Sequence, residues 1–157
     1  MTIRKAVVDD AVGVATVHVR SWQSAYRGIM PEEFLDQISI DARAEHWSSA
    51  IPSGNVWVAL SEGDVVGFAA AGPSRDSDAS FELYAIYFLP SAWGNGQAQP
   101  LAIEALGDER DVVVWVLEDN HRARSFYARL GFVADGVTKS EVVGTVELTE
   151  IRYRLRR

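Results

Sequence analysis

FELYAIYFLPSAWGNGQAQPL, from Phe81 to Leu101, is the stretch around which the rest of the chain is arranged. It opens as an apolar β-type run, breaks at Pro90, turns through Gly94 and Gly96, and passes into an apolar helical pattern from Gln97 to Leu106. Glycine lacks a Cβ, so successive backbone N–H groups in such a turn can converge on one point. The helix that follows adds its own unpaired N–H groups and the positive end of its dipole. Strand, glycine turn and helix start together form an anion site, most often for phosphate. The plain alternative is a tight turn and nothing more.

Working outward, Thr2 to Val7 has the length and β-branched content of a first strand. Asp9 and Asp10 offer cap chemistry for a helix whose inner face is read as Val12, Ala15, Val19, Trp22 and Tyr26, ending near Gly28. Pro31 with Glu32 and Glu33 starts a second helix, and Asp41 to Ala50 reads as a third. Asn55 to Leu60 and Val65 to Ala71 form a hairpin across Ser61–Asp64. Pro73 to Ser80 is the most loop-like segment and is expected to be mobile. Beyond the central stretch, the valines of Asp111 to Leu117 make a buried strand. Glu118 to Leu130 is a helix capped by Asp119 or Asn120 and stopped by Gly131, with Ala123, Phe126, Tyr127 and Leu130 facing inward. Phe132 to Thr138 and Thr145 to Leu155 close the fold as strands around Gly144. Antiparallel hairpins at both ends therefore flank one β-α-β unit. The expectation is an α/β (α+β) domain over residues 1–157, a mixed sheet with helices on its faces. Ligands in such sheets gather at the carboxyl ends of central strands.

The totals exclude several classes. The chain has 157 residues, 48% of them hydrophobic and 24% charged, as in ordinary globular proteins. No apolar run approaches the ~20 residues of a membrane helix, and no signal-peptide core precedes the early acids, so a cytoplasmic location without membrane partners is expected. Cysteine is absent, which removes disulfides, thiolate metal sites and a thiol nucleophile together. His18, His46 and His121 have no ligand spacing, so no metal is expected. The net charge of −7 argues against nucleic acid as partner and agrees, weakly, with a cationic substrate.

Three pieces in this order resemble the GNAT superfamily of acyl-CoA-dependent N-acyltransferases, over nearly the whole chain. WGNGQA, Trp93 to Ala98, matches the family's pyrophosphate loop. LEDNHRARSFYARLGF matches its segment with an asparagine, a tyrosine seven residues on, and then Gly-Phe. RSWQSAYRGIMPEEFLDQ, Arg20 to Gln37, looks like the acceptor-side helices of a bacterial branch. The resemblance implies a GNAT-like, mostly antiparallel seven-stranded sheet. It implies acetyl-CoA as co-substrate, an amine of a small molecule or peptide as acceptor, and a homodimer as the family's assembly. Ile86, Tyr87 and Phe88 would bind the pantetheine arm through backbone groups like an added strand. The N–H groups of Trp93, Gly94, Asn95, Gly96, Gln97 and Ala98 would hold the diphosphate. Asn120 would bond the pantetheine or a neighbouring backbone group, and Tyr127 would stand beside the thioester sulfur. Trp93 departs from the family's Gln or Arg, and Pro100 from its usual helix former.

Acetyl transfer to an amine needs a proton acceptor, donors for an oxyanion and a proton for the leaving thiolate. Tyr127 fits the last role; its other reading is a core tyrosine. The Phe88 N–H is the oxyanion donor. Glu82 is the expected base, because a carboxylate in so apolar a strand is out of place unless used or paired with an arginine. The two-residue period puts it on one face with Tyr84 and Ile86. The next strand offers only Trp115 at the position where some members carry a base. Trp22 and Tyr26 are assigned to the acceptor side. His18, His121, Arg122 and Arg124 are weaker candidates. The rival to an acetyltransferase is a non-catalytic coenzyme A-binding module of the same fold.

Overall fold

The computed structural model describes all residues from Met1 to Arg157. Strand β1 (Thr2–Lys5) leads into α1 (Ala11–Ala25), α2 (Glu32–Asp36) and α3 (Ile40–Ala50). Then come β2 (Asn55–Ser61), β3 (Asp64–Pro73), β4 (Phe81–Phe88), α4 (Ala98–Leu106) and β5 (Asp111–Leu117). The chain closes with α5 (His121–Arg129), β6 (Val133–Val143) and β7 (Val146–Arg156). The seven strands form one sheet in the order β1-β2-β3-β4-β5-β7-β6, antiparallel throughout except between β4 and β5. The mixed, mostly antiparallel sheet read from the sequence is therefore the one observed.

Alternation along the inner strands sends side chains to two separate layers. On one face Val56, Val58, Phe68 and Ala70 pack against Ala11, Val14, Ala15 and Val17 of α1 and Trp47 of α3. On the other, Ala69, Ala71, Leu83, Val112, Val114 and Val116 pack against Leu101 and Ala105 of α4 and Tyr127 of α5. Phe68 is wholly enclosed, and truncating such a ring costs about 3–5 kcal/mol. A third cluster joins Tyr26, Met30 and Leu35 to Leu117, Val143 and Leu148, so the end of α1 and α2 rest on the β6–β7 hairpin. No helix is long and apolar enough to cross a membrane.

Four expectations need correction. The inner face of α1 does not include Val12, which is 63% exposed. The helix is gripped by α3 as well as by the sheet, so its buried set is wider and centred on Val14 and Val17. Asp10 holds the N-cap position of α1, but its side chain makes no bond to that helix. Its carboxylate accepts the Val7 N–H (2.8 Å) and pairs with Arg4 (2.8 Å), securing the turn before the helix. Strand β6 runs past Thr138 to Val143, because its polar residues form an edge strand exposed on both faces. The segment after Pro73 is tied down by side chains. Buried Arg152 donates to Asp76 (3.2 Å), to both oxygens of Asp78 (2.7 Å each) and to Asp135 (2.8 Å). The Trp115 indole N–H adds a bond to Asp76 (2.9 Å).

Candidate active site

Strands β4 and β5 pair only at Phe81–Val112 and Glu82–Val113, and then part. A bulge starts the divergence: Ala70 faces Ala85 and Ala71 faces Leu83, so Tyr84 has no partner on β3. Pro90 then ends β4. The parting opens a cleft of about 1030 Å³ between the strands, walled by α1, α5 and the turn before α4.

The glycine turn sits at one end. Gly94 and Gly96 have φ of 76° and 81°, a region costly for residues with a Cβ. Of the six amides expected to converge there, two are engaged elsewhere. Trp93 N–H donates to Pro90 O (3.2 Å), and Gln97 N–H to the Asn95 side-chain oxygen (3.0 Å). Gly94, Asn95, Gly96 and Ala98 line the cleft, and their N–H groups donate to no other group of the protein. Pro100 sits in the first turn of α4, where a missing N–H costs no helical bond. The Trp93 indole N–H donates to Phe88 O (2.8 Å), and its ring lies under Arg122, whose guanidinium carbon is 4.0 Å from the ring centroid. Arg122 and Arg129 both face the cleft and neither has a carboxylate partner. Burial and then the charge of Arg129 push the Arg122 pKa down, so an anion between them would relieve both. Arg124 is occupied elsewhere, donating to the Tyr153 hydroxyl (3.1 Å) and Glu118 O (2.9 Å).

Along the open edge of β4 only alternate peptide groups are free. Leu89 N–H bonds to Val66 O (2.8 Å), so by the alternation of an antiparallel ladder Tyr87 also points to β3, while Ile86 and Phe88 point into the parting. The backbone groups of Tyr87 are thus unavailable to a ligand. Its side chain lies on the α1 side, stacked on His18 with ring centroids 5.7 Å apart. Trp47 donates to His18 Nδ1 (3.3 Å), and burial holds the His18 pKa down to about 4. His18 is a neutral core histidine, and His121 is exposed at the start of α5.

Midway along the cleft three tyrosines meet. The Tyr26 and Tyr87 hydroxyls are 3.4 Å apart, and Tyr127 is buried among Phe126, Phe132 and Tyr153. Burial raises the pKa of all three, most for Tyr87 and Tyr127, which keeps them neutral phenols. Asn120 caps α5 by accepting the Ala123 N–H (3.2 Å) and lines the cleft beside Tyr26. Trp22 lines the same wall, and its indole N–H is buried without a partner.

Glu82, the expected base, is set apart from the cleft lining. Because the bulge at Tyr84 shifts the alternation, Ile86 joins the Phe81, Leu83 and Phe88 face, and Glu82 stays outside the cleft lining. Its buried carboxylate is bound by the Arg75 guanidinium (Nε at 3.2 Å), the Arg75 N–H (3.1 Å) and the Ser74 hydroxyl (3.3 Å). It is the anchor of the segment before β4. The carboxylates that do line the cleft are Glu141 and Glu150, at the far end with Lys139, Trp115 and Tyr84. The sequence reading missed them, since they come from the edge hairpin; the spacing of Lys139 and Glu141 on one strand face is the only local signal.

The sequence model of the acetyltransferase (GNAT) family matches residues 16–132. The uncharacterized N-acetyltransferase YuaI of Bacillus subtilis is 35% identical over 76% of this chain and 73% of its own length. The probable N-acetyltransferase Rv2775 of Mycobacterium tuberculosis is 28% identical over 99% and 93%. Among solved structures, an N-acetyltransferase from Thermoplasma acidophilum in complex with coenzyme A superposes with a TM-score of 0.77 at 19% identity, covering 99% of this chain and 98% of that one. A putative acetyltransferase from Salmonella typhimurium with its cofactor acetyl-CoA gives 0.76 at 20% identity, over 99% and 93%.

Proposed function

The chain belongs to the acetyltransferase (GNAT) family, and from that premise we propose that it transfers an acetyl group from acetyl-CoA directly to a primary amine, both held at once in the cleft. One observation carries the reading: four unengaged amides, at Gly94, Asn95, Gly96 and Ala98, open onto the same cleft as the buried phenol of Tyr127. The amides, with Arg122 and Arg129, suit a diphosphate and a further phosphate. The peptide edge at Ile86 and the N–H of Phe88, whose carbonyl is taken by the Trp93 indole, suit the amides of a pantetheine arm. Both features are recognised by geometry that a coenzyme of this length would span.

Acetyl-CoA supplies the activated acyl carbon; the residues of the chain orient it and move protons. The Phe88 N–H, aimed into the parting, donates to the acyl oxygen as that oxygen gains charge. Tyr127, kept neutral by burial, gives its proton to the departing sulfur. The cleft wall of Trp22 and Tyr26 takes the acceptor.

Thiol release from acetyl-CoA in the presence of amines tests this. Tyr127→Phe is expected to lower kcat by ~10²-fold with little change in coenzyme affinity, because one proton donor is lost and no binding group is. An unaltered kcat removes Tyr127 from the chemistry. Coenzyme binding without thiol release on any amine would mark a binding module instead.

A further inference from the structure

The acceptor end of the cleft has a charge pattern that the acetyl-transfer reading leaves unused, and the inference here rests on that reading. Glu150 lies on β7 directly opposite Leu117 of β5 and Lys139 of β6, one strand from the parting. The Lys139 ammonium is 3.6 Å from the Glu150 carboxylate and 4.1 Å from the centroid of the Trp115 ring. A primary alkylammonium thus rests against a carboxylate and on an indole face, inside the cleft where an acceptor amine must bind.

We infer that Glu150 receives the ammonium group of the acceptor, that Lys139 occupies that place in the free protein, and that the acceptor is a primary amine with no carboxylate beside it. A surface cross-strand pair contributes little to stability. The Glu150 side chain, however, is only 19% exposed, a desolvation that a solvated edge pair has no reason to carry. Its pKa is raised by burial and by the charge of Glu141 and lowered by Lys139 and Arg75, which favours a carboxylate able to accept a proton. The charged and titratable groups facing it are Lys139 and Glu141 from β6, Arg75 from the segment before β4, and Tyr26 from the C-terminal cap of α1. Arg75 is paired with Glu82 and acts on Glu150 only at a distance, so Lys139 is the one cation in an ion pair with Glu150, and Glu141 has none. An entering cation neutralises this surplus; an entering carboxylate adds to it.

The step balances. The ammonium passes one proton to Glu150, and from there to solvent. The nitrogen lone pair then forms the C–N bond while the thioester C–S bond breaks. The second proton leaves nitrogen and reaches sulfur through the Tyr127 hydroxyl, giving amide, thiol and one released proton.

Two measurements on the full chain separate this inference from the reading beneath it. Calorimetry with coenzyme A should give the same Kd for the wild type and Glu150→Gln; no coenzyme binding by the wild type would overturn the acetyl-transfer reading itself. Thiol-release kinetics then compare glycinamide with glycine, and 1,4-diaminobutane with 4-aminobutanoate. The carboxylate-free member of each pair should have a kcat/KM at least ~10-fold higher. Glu150→Gln should raise KM for that member by ~10-fold or more and erase the preference, Glu150→Asp should retain it, and Lys139→Met should lower KM. Equal or reversed preference, an unchanged KM in Glu150→Gln, or no turnover of any of the four amines by a protein that binds coenzyme would overturn the assignment.

Discussion

The two ends of the cleft are built from different materials. At the glycine turn the unengaged groups are backbone amides, set by φ values at Gly94 and Gly96 and by the start of α4. At the other end the lining is charged side chains, Arg75, Lys139, Glu141 and Glu150, backed by the pairs Arg75 with Glu82 and Arg152 with three aspartates outside the cleft. The first arrangement depends on about twenty consecutive residues; the second depends on pairs as far apart as Asp76 and Arg152. One end therefore tolerates side-chain changes and fails when the backbone is bent. The other keeps its backbone path and fails when one charge is removed.

Substitutions at each end should separate these properties. The largest effect is expected from Arg152→Met, which leaves Asp76 and Asp135 without their cation and Asp78 with Arg154 alone (3.6 Å). Loss of one partner from a buried charge network costs about 3–5 kcal/mol, to be read from urea unfolding. If the two ends are independent, its coenzyme Kd stays near that of the wild type wherever the protein is folded. Acid gives the next effect, through His18 between the ends. Above pH 6.5 neither the folded nor the unfolded protein protonates it. Between 6.5 and about 4 only the unfolded chain does, so stability falls as pH drops through that window. The total is about 3 kcal/mol, and His18→Gln, which keeps an acceptor for Trp47, should flatten that part of the profile.

Gly96→Val should act in the opposite sense to Arg152→Met. No neighbour would touch the added Cβ, so its cost is the positive φ, about 1–2 kcal/mol of strain that the turn relieves by moving its amides. Coenzyme affinity should fall ~30- to 100-fold by calorimetry, with the acceptor KM little changed. A Kd unaffected by Gly96→Val would break the comparison. The smallest effect is expected from Arg122→Ala: a ~5- to 10-fold weaker coenzyme Kd that narrows as salt is added, since Arg129 remains.

What could be read from the sequence follows the same division. The β4–turn–α4 unit, the Asn120 cap and the terminal hairpins are local patterns, and the structure has them in place. The misreadings arose where a distant partner decides the outcome. Glu82 in an apolar strand reads as a base or as an arginine's partner; the pairing with Arg75 is present, and the bulge at Tyr84 that keeps Glu82 out of the cleft lining is a property of the β3–β4 register with no mark in β4 itself. Lys139 to Glu141 read as a loop because an edge strand exposed on both faces has no hydrophobic period. The pinned segment after Pro73 looked mobile because its anchor, Arg152, lies in the last strand.

The central claim is that free main-chain amides at the glycine turn hold a diphosphate and so set the acyl group beside Tyr127. Calorimetric titration of the wild type with coenzyme A and with pantetheine, which has no diphosphate, tests it most directly. Coenzyme A should bind at least ~100-fold more tightly than pantetheine, the difference that several charge-assisted hydrogen bonds provide. Equal affinities, or no heat from coenzyme A at millimolar concentration, would contradict it.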